Sequence, residues 1–276
     1  IKRNIIGINR MSLKRLFLKY KCDKYFHKYH LVYEKFFLKI KNNKLKILEI
    51  GVSDGASLRS WSDYFKKSEI IGFDVKSINP KKIKKFKKNI HIYKGSQTDK
   101  KFLNFLINKY KKFDVIIDDG SHKPPDVVKS FKTLFNSLSV NGLYFVEDTQ
   151  TSYNHYFGGN AFDLKYASTH MNFFKNLTDS LNFNEIANPY YHKSKYDGFI
   201  ENISFFNNIV VVKKGLNNNK SNLILNNSYE EKRYLTKVKR NGFKLKYFIT
   251  YKIILKLFTF CLLVLNFLKK MILIRF

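Results

Sequence analysis

The run Phe113-Asp114-Val115-Ile116-Ile117-Asp118-Asp119-Gly120-Ser121-His122 constrains the fold more than any other, because a β-branched apolar stretch ends abruptly in two carboxylates and an imidazole. A short run of this kind, with helix-like sequence on either side, reads as a parallel strand buried on both faces. Ligands of open α/β sheets lie beyond the carboxyl ends of such strands, so Asp119 and His122 are expected to face a crevice. Further on, Gly142-Leu143-Tyr144-Phe145-Val146 repeats the pattern and ends in Glu147-Asp148. Two neighbouring strands then aim acids into one pocket.

The rest of the chain supplies a sheet for these strands. Leu45 to Ile50 reads as an earlier strand, and Gly51 to Ser57 as a turn and helix start. Gly51 and Gly55 permit positive φ and close backbone approach, and Ser57 is placed to cap a helix reaching Lys67. The turn lacks the Gly-Lys-Ser/Thr of a P-loop, and its spacing departs from the dinucleotide pattern. Glu69 to Asp74 is a second strand; its terminal acid lies about twenty residues after the turn, where a carboxylate can take both hydroxyls of a ribose. Glu49, Gly51, Gly55, Ser57 and Asp74 thus outline a nucleoside site that makes no demand for pyrophosphate. Ile90 to Tyr93 is a third strand, and Gln97 in the turn after it borders the nucleobase. The interval Asp99 to Lys111 predicts a helix with Phe102, Phe105, Leu106 and Tyr110 inward, and a proline at Pro124 or Pro125 opens another that runs to Leu138. Thr149 to Gly159 reads as a substrate loop, Phe162 to Leu181 as helical, and Phe199 to Val212 as a hairpin. Regular βα alternation with right-handed crossovers gives a Rossmann-like, doubly wound and mostly parallel seven-stranded sheet with a terminal antiparallel hairpin.

Lys and Arg number 52 against 21 Asp and Glu, a formal charge of +31 over 276 residues. Such a balance suits nucleic acid, an anionic membrane or an acidic substrate, although the Lys, Asn, Ile and Phe bias of an AT-rich genome accounts for it equally well. Residues 1–44 read as a basic amphipathic helical lead-in whose Tyr29 and Tyr33 face the core, 45–215 as the catalytic domain, and 216–276 as a basic tail. Leu257 to Leu268 falls short of the span of about 20 apolar residues, so the tail is expected to lie on an anionic membrane surface. Cys22 and Cys261 have neither metal-ligand spacing nor a disulfide framework. No secretory leader pattern opens the sequence, and the expected location is cytoplasmic, peripheral on the inner face of the membrane.

Leu48-Glu49-Ile50-Gly51-Val52-x-x-Gly55-Ala56-Ser57-Leu58, Asp74, Ile117-Asp118-Asp119-Gly120-Ser121-His122 and Glu147-Asp148 together resemble the metal-dependent sugar O-methyltransferases of the macrolide-sugar family. The resemblance covers roughly residues 22 to 214. The glycine turn alone marks only the class I S-adenosylmethionine-dependent fold; Asp-Asp-Gly-Ser-His followed by Glu-Asp at the next strand end is the narrow signature. The resemblance implies S-adenosylmethionine as cofactor, with Asp119, Glu147 and Asp148 as ligands of a divalent cation and His122 as general base. Asp118 falls with the cofactor set, or serves only to bond the turn. Cys22 stands where many relatives have Thr before Asp-Lys, which removes the ground for assigning roles to Asp23 and Lys24.

The chemistry points the same way. Three carboxylates in one pocket repel, so their pKa values rise or a cation neutralises them, and all-oxygen ligation suits Mg²⁺ or Mn²⁺. Metal chelation of a vicinal diol would position a sugar hydroxyl for methyl transfer, and a histidine would take its proton. The expected activity is methylation of a sugar or glycan acceptor, in surface-polysaccharide or other glycan assembly. A hydroxylase-like relative of the same fold and a nucleic-acid methyltransferase or binder are the alternatives. The second lacks an Asn/Asp-Pro-Pro-Tyr/Phe motif and any visible RNA-binding module, so no specific nucleic acid is expected. A homo-oligomer is compatible with the sequence.

Overall fold

A computed structural model describes residues 12–77, 87–186, 188 and 190–217. Seven strands form one sheet: β1 (Lys46–Ile50), β2 (Glu69–Asp74), β3 (Ile90–Lys94), β4 (Phe113–Asp118), β5 (Leu138–Val146), β6 (Ile200–Phe206) and β7 (Ile209–Lys214). Their order is β3-β2-β1-β4-β5-β7-β6. The first five are parallel, and β7 inserts antiparallel between β5 and β6. The expected Rossmann-like sheet with its terminal hairpin is therefore present.

Alternate side chains of each strand face opposite sides of the sheet, which explains why the strands read as continuous apolar runs. Ile47, Ile70, Val115, Ile117 and Phe145 meet α1 (Leu13–Tyr20), α2 (His30–Phe37) and α3 (Ala56–Tyr64). Leu48, Ile71, Ile116, Tyr144 and Val212 meet α4 (Lys100–Tyr110), α5 (Pro124–Leu134) and α6 (His170–Asn176) on the other face. The lead-in from Ser12 onward is thus part of the core rather than an appendage to it. Trp61 is wholly buried between Phe17 and Phe37, with edge-to-face centroid distances of 5.3 and 5.8 Å. Such pairs add to area burial in holding the lead-in on the sheet.

Several local expectations give way. Gly55, at φ 79°, is the N-cap of α3; Ser57 instead donates its hydroxyl to Glu49 at 2.8 Å. In α4 the buried positions are Leu103, Leu106 and Tyr110, while Phe105 is 48% exposed and lies against Tyr93 of the edge strand. The helix from Pro124 ends at Leu134, because a 3₁₀ turn leads into β5 at Leu138. Between Phe162 and Leu181 only α6 and the short α7 (Thr178–Leu181) are helical, and Phe162 is fully exposed. Among the described residues, 184–186, 188 and 190–192 group apart from the sheet-bearing body. No described helix is long and apolar enough to cross a membrane. Cys261 and the apolar stretch of the tail lie outside the described residues.

Candidate active site

Strand order reverses between β2-β1 and β4, so the turns after β1 and β4 lie side by side at the carboxyl edge, the place where open sheets bind ligands. Gly51 has φ 84°, and a Cβ built there would lie 1.9 Å from the carbonyl oxygen of Asp119. The two turns are in backbone contact, and only glycine fits. Asp74 stands beside them, its Oδ2 accepting from the amides of Val52 and Ser53 at 2.9 Å each and its Oδ1 from that of Lys76. Positive φ at Gly51 and Gly55, with an acid at the neighbouring strand end, fits the close approach and the hydroxyl pair of a nucleoside.

The other residues expected around the cofactor are buried and engaged within the protein. Gln97 accepts from the Ser121 amide at 2.7 Å and donates to Asp118 at 3.2 Å. Asp118 is 1% exposed and also accepts from Ser130 and Tyr144; burial pushes its carboxyl up to about 6. Glu49 is fully buried, and burial raises it to about 7 against the pull of Lys24. Gln97 and Asp118 therefore latch the turn after β4, and Glu49 lies behind the glycine turn.

Beyond β4 and β5 the structure brings together Asp119, His122, Glu147 and Asp148. His122 Nε2 lies 3.9 Å from Asp119 Oδ1 and 3.6 Å from Asp148 Oδ2, and one ligand atom from each of these three residues lies within 4.8 Å of the others. That donor set of two carboxylates and an imidazole fits a small divalent cation. Glu147 is presented differently. It is 2% exposed, with one oxygen bound by the Tyr33 hydroxyl and the other by the Lys24 ammonium at 2.8 Å. Burial and the charge of Asp119 push Glu147 upward, while burial alone is the leading cause of the rise at Asp119. At Asp148 burial is outweighed by a 2.5 Å bond from Tyr29 and the neighbouring His122, which hold it below the ordinary range.

The repulsion expected among the acids is met both by raised carboxyl groups and by a cation of the chain itself. Lys24, in a 3₁₀ turn of the lead-in, carries its ammonium to Asp119, Glu147 and Glu49. Tyr29 and Tyr33 do not merely pack; their hydroxyls bond two of the acids. His122 and Asp148 share a further feature, φ of 58° and 53°, in the left-handed region. The Thr151 hydroxyl lies 2.8 Å from both of their carbonyl oxygens and locks the two turns together. The expected substrate loop is a pair of 3₁₀ turns, Thr149–Tyr153 and His155–Phe157, with Phe157 edge-on to His122 and Tyr156 83% exposed.

No family model matches the chain. The mycinamicin VI 2''-O-methyltransferase of Micromonospora griseorubida is 31% identical to it over 221 residues, 76% of this chain and 54% of that protein. The 8-demethyl-8-alpha-L-rhamnosyl tetracenomycin-C 2'-O-methyltransferase of Streptomyces olivaceus is 33% identical over 215 residues, 75% and 55% of the two chains. The solved structure of the MycE methyltransferase of the mycinamycin biosynthetic pathway, in complex with Mg and SAH, superposes with a TM-score of 0.72 at 30% identity, over 76% of this chain and 56% of its own. This chain is a homologue of the macrolide-sugar O-methyltransferases and has their class I fold. It spans about half the length of these curated relatives. The similarity covers about three quarters of this chain, more than the span from β1 to β7 that carries the sheet. Lys24 drew no role from the sequence motifs because Cys22 precedes Asp23-Lys24, and the two tyrosines read as packing; all three bond the acids.

Proposed function

We propose that this macrolide-sugar O-methyltransferase homologue is an S-adenosylmethionine- and divalent-metal-dependent O-methyltransferase acting on a sugar hydroxyl. The observation that carries the reading is the convergence of Asp119, His122 and Asp148 at the switch point of the sheet, next to the Gly51 turn. The MycE methyltransferase, in complex with Mg and SAH, supports both cofactors. When bound, the sulfonium supplies the methyl group and the divalent ion an electrophilic anchor for a vicinal diol. The chain's own part is to hold the nucleoside at Gly51, Gly55 and Asp74, and to bring the acceptor oxygen in line with the methyl carbon at about 3 to 3.5 Å. His122 Nε2, 3.6 Å from Asp148 and 3.9 Å from Asp119, takes the hydroxyl proton. Asp119, Glu147 and Asp148 would hold the divalent ion, Glu147 being bonded by Lys24 and Tyr33 in its absence.

The relatives' names favour a glycoside acceptor, an alpha-L-rhamnosyl tetracenomycin-C among them. A glycan in surface assembly is the other acceptor class, favoured by a tail in which a polybasic segment precedes an apolar stretch, the two-signal pattern of peripheral membrane attachment. A glycoside panel incubated with the full chain and S-adenosylmethionine tests the reading. Mass spectrometry is expected to show one added methylene per acceptor, with transfer abolished by EDTA and restored by Mg²⁺ or Mn²⁺. Full turnover in chelator would remove the metal from the reaction.

Cofactor affinity supplies a second check. Asp74→Ala is expected to weaken S-adenosylmethionine binding by about 1.5 to 3 kcal/mol, the range for hydrogen bonds to a charged group. Unchanged affinity by calorimetry would leave Asp74 as a brace for Val52 and Ser53 alone.

A further inference from the structure

Lys24 is 1% exposed, yet its side chain ends among carboxylates from three different strand ends. Its ammonium lies 2.8 Å from Glu147 Oε2, 3.6 Å from Glu49 Oε1, and in hydrogen-bond contact with Asp119 Oδ2. The strands concerned, β1, β4 and β5, are neighbours in the sheet, so one cation from the lead-in bridges all of them. Withdrawing an ammonium from water is so costly that a single ion pair rarely repays it. Three acids around one lysine, with the Tyr33 hydroxyl on the outer oxygen of Glu147, make the burial tolerable for every member.

The same geometry limits what a metal can reach. Asp119 is shared: Oδ2 faces Lys24 and Oδ1 faces His122. A divalent ion held by Asp119 and Asp148 would therefore meet a fixed positive charge behind one of its own ligands. Both oxygens of Glu147 are already taken. We propose that Lys24 is the resident counter-cation of this cluster and competes with the divalent ion for Asp119 and Glu147. The competition rests on the metal reading of the site given above; the counter-cation role stands on the contacts alone.

Lys24→Met removes the charge and keeps most of the stem. Mn²⁺ binding to the full chain, followed by electron paramagnetic resonance of the free ion, is expected to tighten on the order of tenfold or more, because a positive charge a few ångströms away is gone. In EDTA the variant is expected to melt about 6 °C or more below the wild type, since buried acids have lost their partner. Adding Glu147→Gln to it should recover part of that loss. Equal or weaker Mn²⁺ binding by Lys24→Met overturns the competition, and an unchanged melting temperature in EDTA overturns the counter-cation role. Where Lys24→Met alone fails to fold, the pair Glu147→Gln and Lys24→Met/Glu147→Gln carries the same comparison. Absence of Mn²⁺ binding in every variant, wild type included, would end the metal reading, and the melting shift would still decide the role of Lys24.

Discussion

His122→Ala is expected to lower kcat by roughly 10² to 10⁴, the loss that follows removal of a positioned general base, with S-adenosylmethionine affinity unchanged. Its Nε2 stands among the acids of the cluster, 3.6 Å from Asp148 and 3.9 Å from Asp119, where the acceptor hydroxyl would be held. The same proximity makes His122 a rival candidate for the metal shell, and Mn²⁺ affinity separates the roles. A fall in kcat with Mn²⁺ binding intact supports the base. A parallel fall in both makes His122 a ligand, and an unaltered kcat makes it structural. His122→Asn belongs beside the alanine variant, because asparagine accepts the left-handed backbone of this position and alanine does not do so readily.

Gly51→Ala is expected to cost about 3 kcal/mol or more in urea denaturation and to abolish cofactor binding. Two effects add there: a positive φ that disfavours any side chain, and a methyl that would overlap the Asp119 carbonyl at 1.9 Å. Gly158 provides the control, since its φ is 83° but no atom lies within 4 Å of a Cβ built on it. Gly158→Ala should lose only the backbone part, roughly 1 kcal/mol. Equal losses at the two positions would mean that the turns after β1 and β4 are not in contact. Because Asp119 hangs on that contact, Gly51→Ala should also displace the acid cluster and weaken Mn²⁺ binding.

What could be read from sequence was whatever repeats locally. Strands ending in Asp118-Asp119 and Glu147-Asp148 announce themselves through apolar runs that stop at acids, and Gly51 through its place after one. Lys24 had only the Asp-Lys pair, weakened by Cys22 before it, because it is one basic residue in a basic segment and its partners Asp119 and Glu147 lie 95 and 123 residues away. Tyr29 and Tyr33 satisfied the period of a core-facing helix, and nothing in that period tells a hydroxyl aimed at an acid from a ring aimed at a core. Phe105 misled for a related reason. In helix α4, Leu103, Leu106 and Tyr110 go inward, and Phe105 rests on Tyr93 of the edge strand β3 at the margin of the sheet.

The left-handed backbone at His122 and Asp148 reverses the usual ranking of conservative replacements. Asp148→Glu preserves charge but demands of a longer side chain a conformation that aspartate and asparagine enter far more readily. Asp148→Asn preserves the turn and forfeits the charge. A library that swaps acid for acid at this position would therefore mix backbone failure with chemical failure, whereas the amide isolates the chemistry. The site accepts a change of element more easily than a change of length.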